Sequence, residues 1–402
     1  MISRAGHDVR GAPAASLALL ALMACADPTP PPGLALGDAT SWPATEPATA
    51  TVRIHYPNGR VPIAVRSEGI DEVPCRPERE EGVCTASITE LPIGEKTLAF
   101  RPYLGEQPAR GARYLVERGE TIDIYPHFIA TEGELRTLIP DFHSEILEAE
   151  EPGNQRIIYA YLPASYGENP LASYPVVYMH DGRNLFDAAS SISGIEWEVD
   201  ETVERAWEET GAIDEVIVIG IDQLVTIDGA LQNRRRGEYN PTTTTITLPP
   251  IGDLYAEMVA TELKPAIDAL LRTRPGREHT ATLGSSMGGW ISSWIAYRYP
   301  ELFGLCAALS TADQIGTEWL AQRIAVPAPG PRLQRIYLDG GTTEPGGGLA
   351  AVLFADVYRS LGYVDGADLM LFHELGGLHA EGDWARRLPV ALAFLFPARR
   401  TP

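Results

Sequence analysis

The stretch with the clearest chemical potential is Gly284-Ser285-Ser286-Met287-Gly288, in which Ser286 is centred between two glycines and Ser285 is not. Its neighbours decide what the pattern means. A short β-prone run at 280–283 leads straight into it, and Trp290, Ile291, Trp294, Ile295 and Arg298 follow at helical spacing until Tyr299-Pro300. A strand–turn–helix of this kind forces the central serine onto a sharp turn, where flanking glycines let backbone approach without a Cβ clash. It also sets Ser286 at a helix N-terminus, whose unpaired N–H groups favour developing negative charge. Ser286 is therefore the candidate nucleophile.

A serine hydroxyl needs a base, and on such a sheet the order is serine, acid, histidine. Of the eight histidines, His373 and His379 lie far enough downstream. His373 ends the apolar run Leu369-Met370-Leu371-Phe372 and reads as a packing residue at a strand end. His379 follows Gly376-Gly377-Leu378, a loop after the last strand, and is preferred as the general base. The acid belongs just after the strand at 335–338. Glu344 has the reach to orient an imidazole and is preferred; Asp339, at the strand end, is the alternative. The acid would hold the tautomer and stabilise the imidazolium without taking the proton.

An oxyanion needs two preorganised N–H donors. One is expected from Met287, directly after the nucleophile. The other is expected from Arg183, aimed by a tight turn at Gly182 after the strand at 176–180. His180-Asp181 has the look of a metal pair, yet no third ligand is spaced to complete a site, so no metal and no cofactor are expected.

These residues must be held by a scaffold. From about 134 onward, β-prone runs at 156–162, 176–180, 216–221, 280–283, 335–338 and 369–372 alternate with helical stretches, including Leu254, Met258, Leu263, Ile267 and Leu271 on one face. Several strands are apolar on both sides. The expected fold class is α/β, a mostly parallel sheet with helices on both faces, over 134–398. Residues 51–130 carry short β-prone runs separated by turn signals and read as a small all-β sandwich. Residues 26–50, rich in Pro, Ala and Thr, read as a tether.

The N-terminus reads as an address. Arg4 and Arg10 precede an apolar stretch too short to span a bilayer, and Leu22-Met23-Ala24-Cys25 resembles a bacterial lipobox. Residues 1–25 are thus expected to direct export and to leave Cys25 lipidated; a plain signal peptide, releasing a soluble secreted protein, is the alternative. Cys75 and Cys84, close together in a charge-rich loop, are expected to form a disulfide in an oxidising compartment, and Cys306 a buried thiol. The formal net charge of −22 argues against nucleic acid as a partner. The basic run Arg234-Arg235-Arg236 reads as a solvated loop.

Together these stretches bring a family into view. Residues 134–398 resemble the "putative esterase" family of the α/β-hydrolase superfamily, which includes enterochelin esterases, esterase D, feruloyl esterases and mycolyltransferases. The resemblance rests on Tyr174-Pro175-Val176-Val177-Tyr178-Met179-His180-Asp181-Gly182-Arg183-Asn184-Leu185-Phe186-Asp187, on Arg277-Glu278-His279-Thr280 with the elbow, and on Ile336-Tyr337-Leu338-Asp339-Gly340-Gly341-Thr342-Thr343-Glu344. It implies Ser286 as nucleophile, Glu344 as acid, His379 as base, and Arg183 and Met287 as oxyanion donors. Glu238-Tyr239 matches a family stretch near the active-site mouth, with Arg236 beside it. Ser310-Thr311-Ala312 departs from the Ser-Pro-aromatic pattern of many relatives, which bears on the pocket. Less specifically, residues 50–130 resemble a starch-binding-like β-sandwich, though none of the seven tryptophans falls between 51 and 130.

The function implied is hydrolysis of a small-molecule carboxylic ester, of siderophore or feruloyl type, through an acyl-enzyme. Acyl transfer by the same residues and a non-catalytic glycan- or partner-binding surface protein are the alternatives.

Overall fold

Strands that are apolar on both sides must be covered on both sides, and the central sheet is. The computed structural model describes residues 49–401 apart from 58–60, 90, 92–95, 224, 225, 228, 229, 232, 233, 243–247, 312–315 and 327–329. The export segment, Cys25 and nearly all of the tether lie outside the described residues. The sheet has eight strands: β1 (Glu134–Phe142), β2 (Arg156–Leu162), β3 (Val176–His180), β4 (Ile217–Ile221), β5 (Thr280–Ser285), β6 (Leu305–Leu309), β7 (Arg335–Gly341) and β8 (Leu369–Glu374). Their spatial order is β1-β2-β4-β3-β5-β6-β7-β8. The first two pairings are antiparallel and all later ones parallel.

The main helices are α1 (Val199–Glu208), α2 (Gly252–Met258), α3 (Lys264–Leu270), α4 (Met287–Arg298), α5 (Thr317–Ile324), α6 (Leu349–Ser360) and α7 (Glu381–Leu395). Between α2 and α3 runs a π-helical stretch, Val259–Leu263. It stands just before Pro265, which has no N–H to donate to an α-helical ladder.

The pleat sorts side chains between two cores. Val176 and Tyr178 pack with Tyr255, Met258, Ile267, Ile291, Leu320 and Phe354 of α2 to α6. Their neighbours Val177 and Met179 pack instead with Val199, Val203, Leu388 and Leu392 of α1 and α7. Fully burying one such side chain contributes about 1.5–3 kcal/mol, so covering both faces is what holds the sheet. This is the α/β-hydrolase arrangement expected from the sequence.

Parallel strands end together, and in open α/β sheets the functional crevice lies at their C-terminal ends. Here β3 ends at His180, β5 at Ser285, β6 at Leu309, β7 at Gly341 and β8 at Glu374. Ser286, Met287, Arg183, Glu344 and His379 each follow one of those ends, and Asp339 lies two residues before the end of β7.

Among the described residues, the region from 49 to 133 is all-β. One sheet holds Ala50–His55, Arg76–Pro77, Val83–Ile88 and Thr121–Ile124; another holds Ile63–Arg66, Val73–Pro74, Thr97–Leu104 and Arg113–Glu117. They share a core in which Val52, Ile54 and Ala86 meet Val65, Phe100 and Val116. Cys75 and Cys84 are disulfide-bonded within this region, and Cys306 is a buried free thiol.

The chain's end adds a strand to this region. Arg400–Thr401 pairs antiparallel with Arg113–Glu117, beyond the boundary at 398 drawn from the sequence. Arg400 anchors it through Asp214 at 3.1 Å and the face of Tyr114 at 4.0 Å. A second tie is Glu168, whose carboxylate accepts the N–H groups of Phe128, Ile129 and Ala130 and the hydroxyl of Tyr56.

Candidate active site

Ser286 stands between β5 and α4 with φ 55° and ψ −121°, a conformation L-residues rarely adopt. Such strain costs on the order of 1–3 kcal/mol and persists only where the surroundings enforce it. Here its N–H donates to the Leu309 carbonyl at 2.9 Å, and its own carbonyl accepts the Trp290 N–H at 3.2 Å, starting the helix. Gly284 is required by close approach, since a Cβ there would lie 2.6 Å from the Gly288 carbonyl carbon. Ser286 remains partly accessible, whereas Ser285 is buried as the last residue of β5.

Met287 is the first residue of α4, so its N–H has no acceptor within the helix. Arg183 lies in the helical turn Gly182–Asn184, introduced by Asp181 at φ 60°. A Cβ on Gly182 would come within 2.9 Å of the backbone at Gly220, Ile221 and Asp222, so this turn is pressed against the end of β4. The loop is clamped on both sides. Arg183 forks onto Asp222 at 2.8 and 2.7 Å, and Arg235 forks onto Asp181 at 2.6 and 2.7 Å. Gln223 donates to Asp181 as well, at 2.7 Å, and the Asp181 N–H donates to the Tyr239 hydroxyl. Burial, the largest single influence, would raise the Asp181 carboxyl, but the Arg235 charge together with the hydrogen bonds from Arg235 and Gln223 holds the group below its ordinary value.

The basic run is therefore not a solvated loop. Arg234 pairs with the buried Glu151 at 2.9 Å and Arg235 with Asp181; only Arg236 points to solvent. Glu238 and Tyr239 follow directly and lie inside the fold. Both are fully buried, Glu238 against Arg156 and Tyr239 beneath the Asp181 turn. Periodicity could not reveal this, because four-residue helices carry no repeat, and the partners lie far away in sequence.

His180 is buried, and burial pushes its pKa down to about 3, so the ring is neutral. Its Nδ1 meets the Tyr255 hydroxyl at 3.0 Å. With Asp181 held by Arg235 and Gln223, this pair is spent on supporting the turn.

On the other side of the sheet's edge, His379 Nδ1 lies 3.3 Å from Glu344 Oε2. Asp339 makes no such contact. Its buried carboxylate accepts the Ser310 N–H at 2.9 Å and the Tyr337 hydroxyl at 3.1 Å and pairs with Arg387 at 3.1 Å. Burial pushes Asp339 up to about 7. Glu344 shifts the opposite way: burial works to raise it, but hydrogen bonds from His379, Ser310 and Gly341, and the Arg387 charge, hold it below its ordinary value. His373 is exposed, with Nε2 2.8 Å from the Gly347 carbonyl.

Three residues to which the sequence assigned no role in the site complete this half. Ser310 (φ 43°), Trp384 and Arg387 converge on Glu344 and His379. The only sequence signal is that Trp384 and Arg387 sit one turn apart on the helix that follows His379. Ser310 is the position that keeps the Ser-Pro-aromatic pattern; the departure begins at Thr311, and residues 312–315 lie outside the described residues.

A family model described as "Putative esterase" matches residues 149–395. An uncharacterized protein of Bacillus subtilis (strain 168), YbbA, is 24% identical over 207 residues, which is 49% of this chain and 72% of that protein. Among solved structures, an IroE-like serine hydrolase from Shewanella oneidensis is similar at 20% identity and a TM-score of 0.49, covering 66% of this chain and 80% of that one. The enterobactin esterase of Shigella flexneri is similar at 14% identity and a TM-score of 0.44, covering 83% and 87%.

Proposed function

Because the chain belongs to the "putative esterase" family and is a carboxylic-ester hydrolase, we propose that it works through an acyl-enzyme on Ser286, with His379 as base and Glu344 as orienting acid. The observation that carries the reading is Ser286 itself, held at positive φ on the turn between β5 and α4. A nucleophile needs that exposure at a strand end, and a packing serine would not justify its strain.

In the reaction the Ser286 hydroxyl attacks the ester carbonyl while His379 takes its proton. Glu344 fixes the imidazole through Nδ1 and stabilises the imidazolium. The N–H groups of Met287 and Arg183 receive the oxyanion, in a site where fixed dipoles need no reorganisation. His379 then gives its proton to the departing alkoxide, and water repeats the sequence to release the acid. The two clamps on the Asp181–Arg183 turn support Arg183 in this role, since an oxyanion donor is useful only if it is fixed before the charge arrives.

The substrate we favour is a small-molecule ester of siderophore or feruloyl type. Export is part of the same proposal. The Cys75–Cys84 disulfide supports it, because disulfides persist in oxidising compartments, and Cys25 would then carry the lipid anchor.

The test is covalent labelling with a fluorophosphonate probe, alongside hydrolysis of a panel from short p-nitrophenyl esters to feruloyl and catecholate esters. The proposal expects one label on Ser286 and loss of both label and turnover in Ser286→Ala. A folded wild-type protein that hydrolyses esters without being labelled would overturn it.

A further inference from the structure

The Glu344 carboxylate is held by a network whose proton directions are fixed by chemistry. Trp384 Nε1–H donates to Ser310 Oγ at 2.9 Å, and an Arg387 N–H donates to the same oxygen. Indole and guanidinium nitrogens only donate, so both Ser310 lone pairs are occupied. The single hydroxyl proton must leave in the remaining direction, and there it meets Glu344 Oε1. That carboxylate oxygen also accepts the Gly341 N–H at 2.7 Å and an Arg387 N–H at 3.3 Å. With Oε1 saturated, Oε2 is the oxygen left for His379.

Arg387 is the hub. It is 1% exposed and spans Asp339 at 3.1 Å, Glu344 at 3.3 Å and Glu374 at 3.0 Å. Asp339 in turn cups the Ser310 N–H with its carboxylate and its carbonyl, at 2.9 and 3.0 Å, which keeps Ser310 at positive φ with Oγ on Glu344. One turn before Arg387 on α7, Trp384 meets the His379 ring edge to face at 5.1 Å. A single helix therefore steadies the acid through one side chain and the base through another.

We propose that Arg387 is a positioning residue of this esterase, acting through Ser310 to fix the Glu344 carboxylate so that Oε2 faces His379. The inference rests on the reading of Ser286, His379 and Glu344 as the reacting set. It differs from simple neutralisation of buried carboxylates, because neutralisation needs only the charge of Arg387, whereas positioning needs its fork and the Ser310 hydroxyl.

The test compares Ser310→Ala and Arg387→Lys with wild type, measuring kcat, KM and the acid limb of the pH–rate profile on a short p-nitrophenyl ester, with melting curves to establish folding. Ser310→Ala keeps every ion pair and removes only the bridge. Both variants are expected to lose kcat by roughly 10- to 100-fold, the penalty of a displaced catalytic group, with KM within about twofold. Their acid limbs should move to higher pH. A carboxylate with fewer donors attracts the imidazolium proton more strongly, so His379 becomes neutral only at higher pH.

Should Arg387→Lys fail to fold, Ser310→Ala decides alone. A folded Ser310→Ala with wild-type kcat and an unmoved acid limb overturns the proposal. Ser286→Ala and Glu344→Gln belong in the same series. If those two lose activity and Ser310→Ala does not, only the positioning role fails. If Ser286→Ala retains activity, the reading beneath it fails.

Discussion

Glu344 and Asp339 both lie at the end of β7, yet Glu344 alone reaches His379, with Oε2 3.3 Å from Nδ1. Asp339 turns its carboxylate to Ser310, Tyr337 and Arg387. The two carboxylates should separate cleanly by mutation. Glu344→Gln keeps the shape, removes the charge that stabilises the imidazolium, and is expected to lower kcat by roughly 10²- to 10⁴-fold. Asp339→Asn should stay within about tenfold of wild type. Steady-state kinetics on one activated ester decide it, and the reverse ranking would reassign the acid to Asp339.

Asp339 should make its mark on stability instead. Burial raises it to about 7 in the folded protein, against about 3.9 for an unfolded aspartate. Between those values the folded state binds more protons, so stability is greatest at the acid end and falls as pH rises through this window. Asp339→Asn removes the titration. Its melting temperature relative to wild type should therefore improve steadily between about pH 4 and pH 7. A difference that stays constant across the window, or moves the other way, would contradict the shift.

How far this was legible in the sequence follows from what each feature depends on. The sheet, its two-sided cover and the elbow were readable because they are local: apolar runs in β3 and β4, and glycines spaced around Ser286. The place of His379 in a loop after the last strand was readable too. What was hidden is the pairing of distant charges. Nothing near Arg235 in sequence announces Asp181, and nothing near Arg387 announces Asp339, Glu344 and Glu374. A run of three arginines reads as solvated because its carboxylate partners arrive from other strand ends. The strand Arg400–Thr401 was missed for a related reason, since two residues carry no alternation and are ordered by Asp214 and Tyr114.

Arg235 bears directly on the turn proposed to receive the oxyanion. Its fork on Asp181 is the main restraint on the residue that introduces Gly182 and Arg183. Arg235→Ala leaves a buried carboxylate with Gln223 as its remaining side-chain donor, at a cost on the order of 1–3 kcal/mol. Loosening the turn should lower kcat by roughly 10- to 100-fold while KM changes little, because the oxyanion contact strengthens only as charge develops. Thermal melting and kinetics on the same preparation check both parts. A folded Arg235→Ala of wild-type kcat would remove the turn from the mechanism.

The acid limb of the pH–rate profile carries a further constraint from Glu344. Hydrogen bonds from His379, Ser310 and Gly341, with the Arg387 charge, hold its carboxyl below the ordinary value despite burial. It therefore remains ionised at mildly acid pH, where a carboxylate of ordinary pKa would begin to take up a proton. Under the proposed mechanism the acid limb then reports the base alone, with Glu344 adding no second proton. The plot of log kcat/KM against pH should descend on its acid limb with a slope no steeper than one, steepening only below the ordinary carboxylate range. A slope of two at mildly acid pH would mean that Glu344 and His379 protonate together. In that case the network around Oε1 does not hold the acid in its charged form.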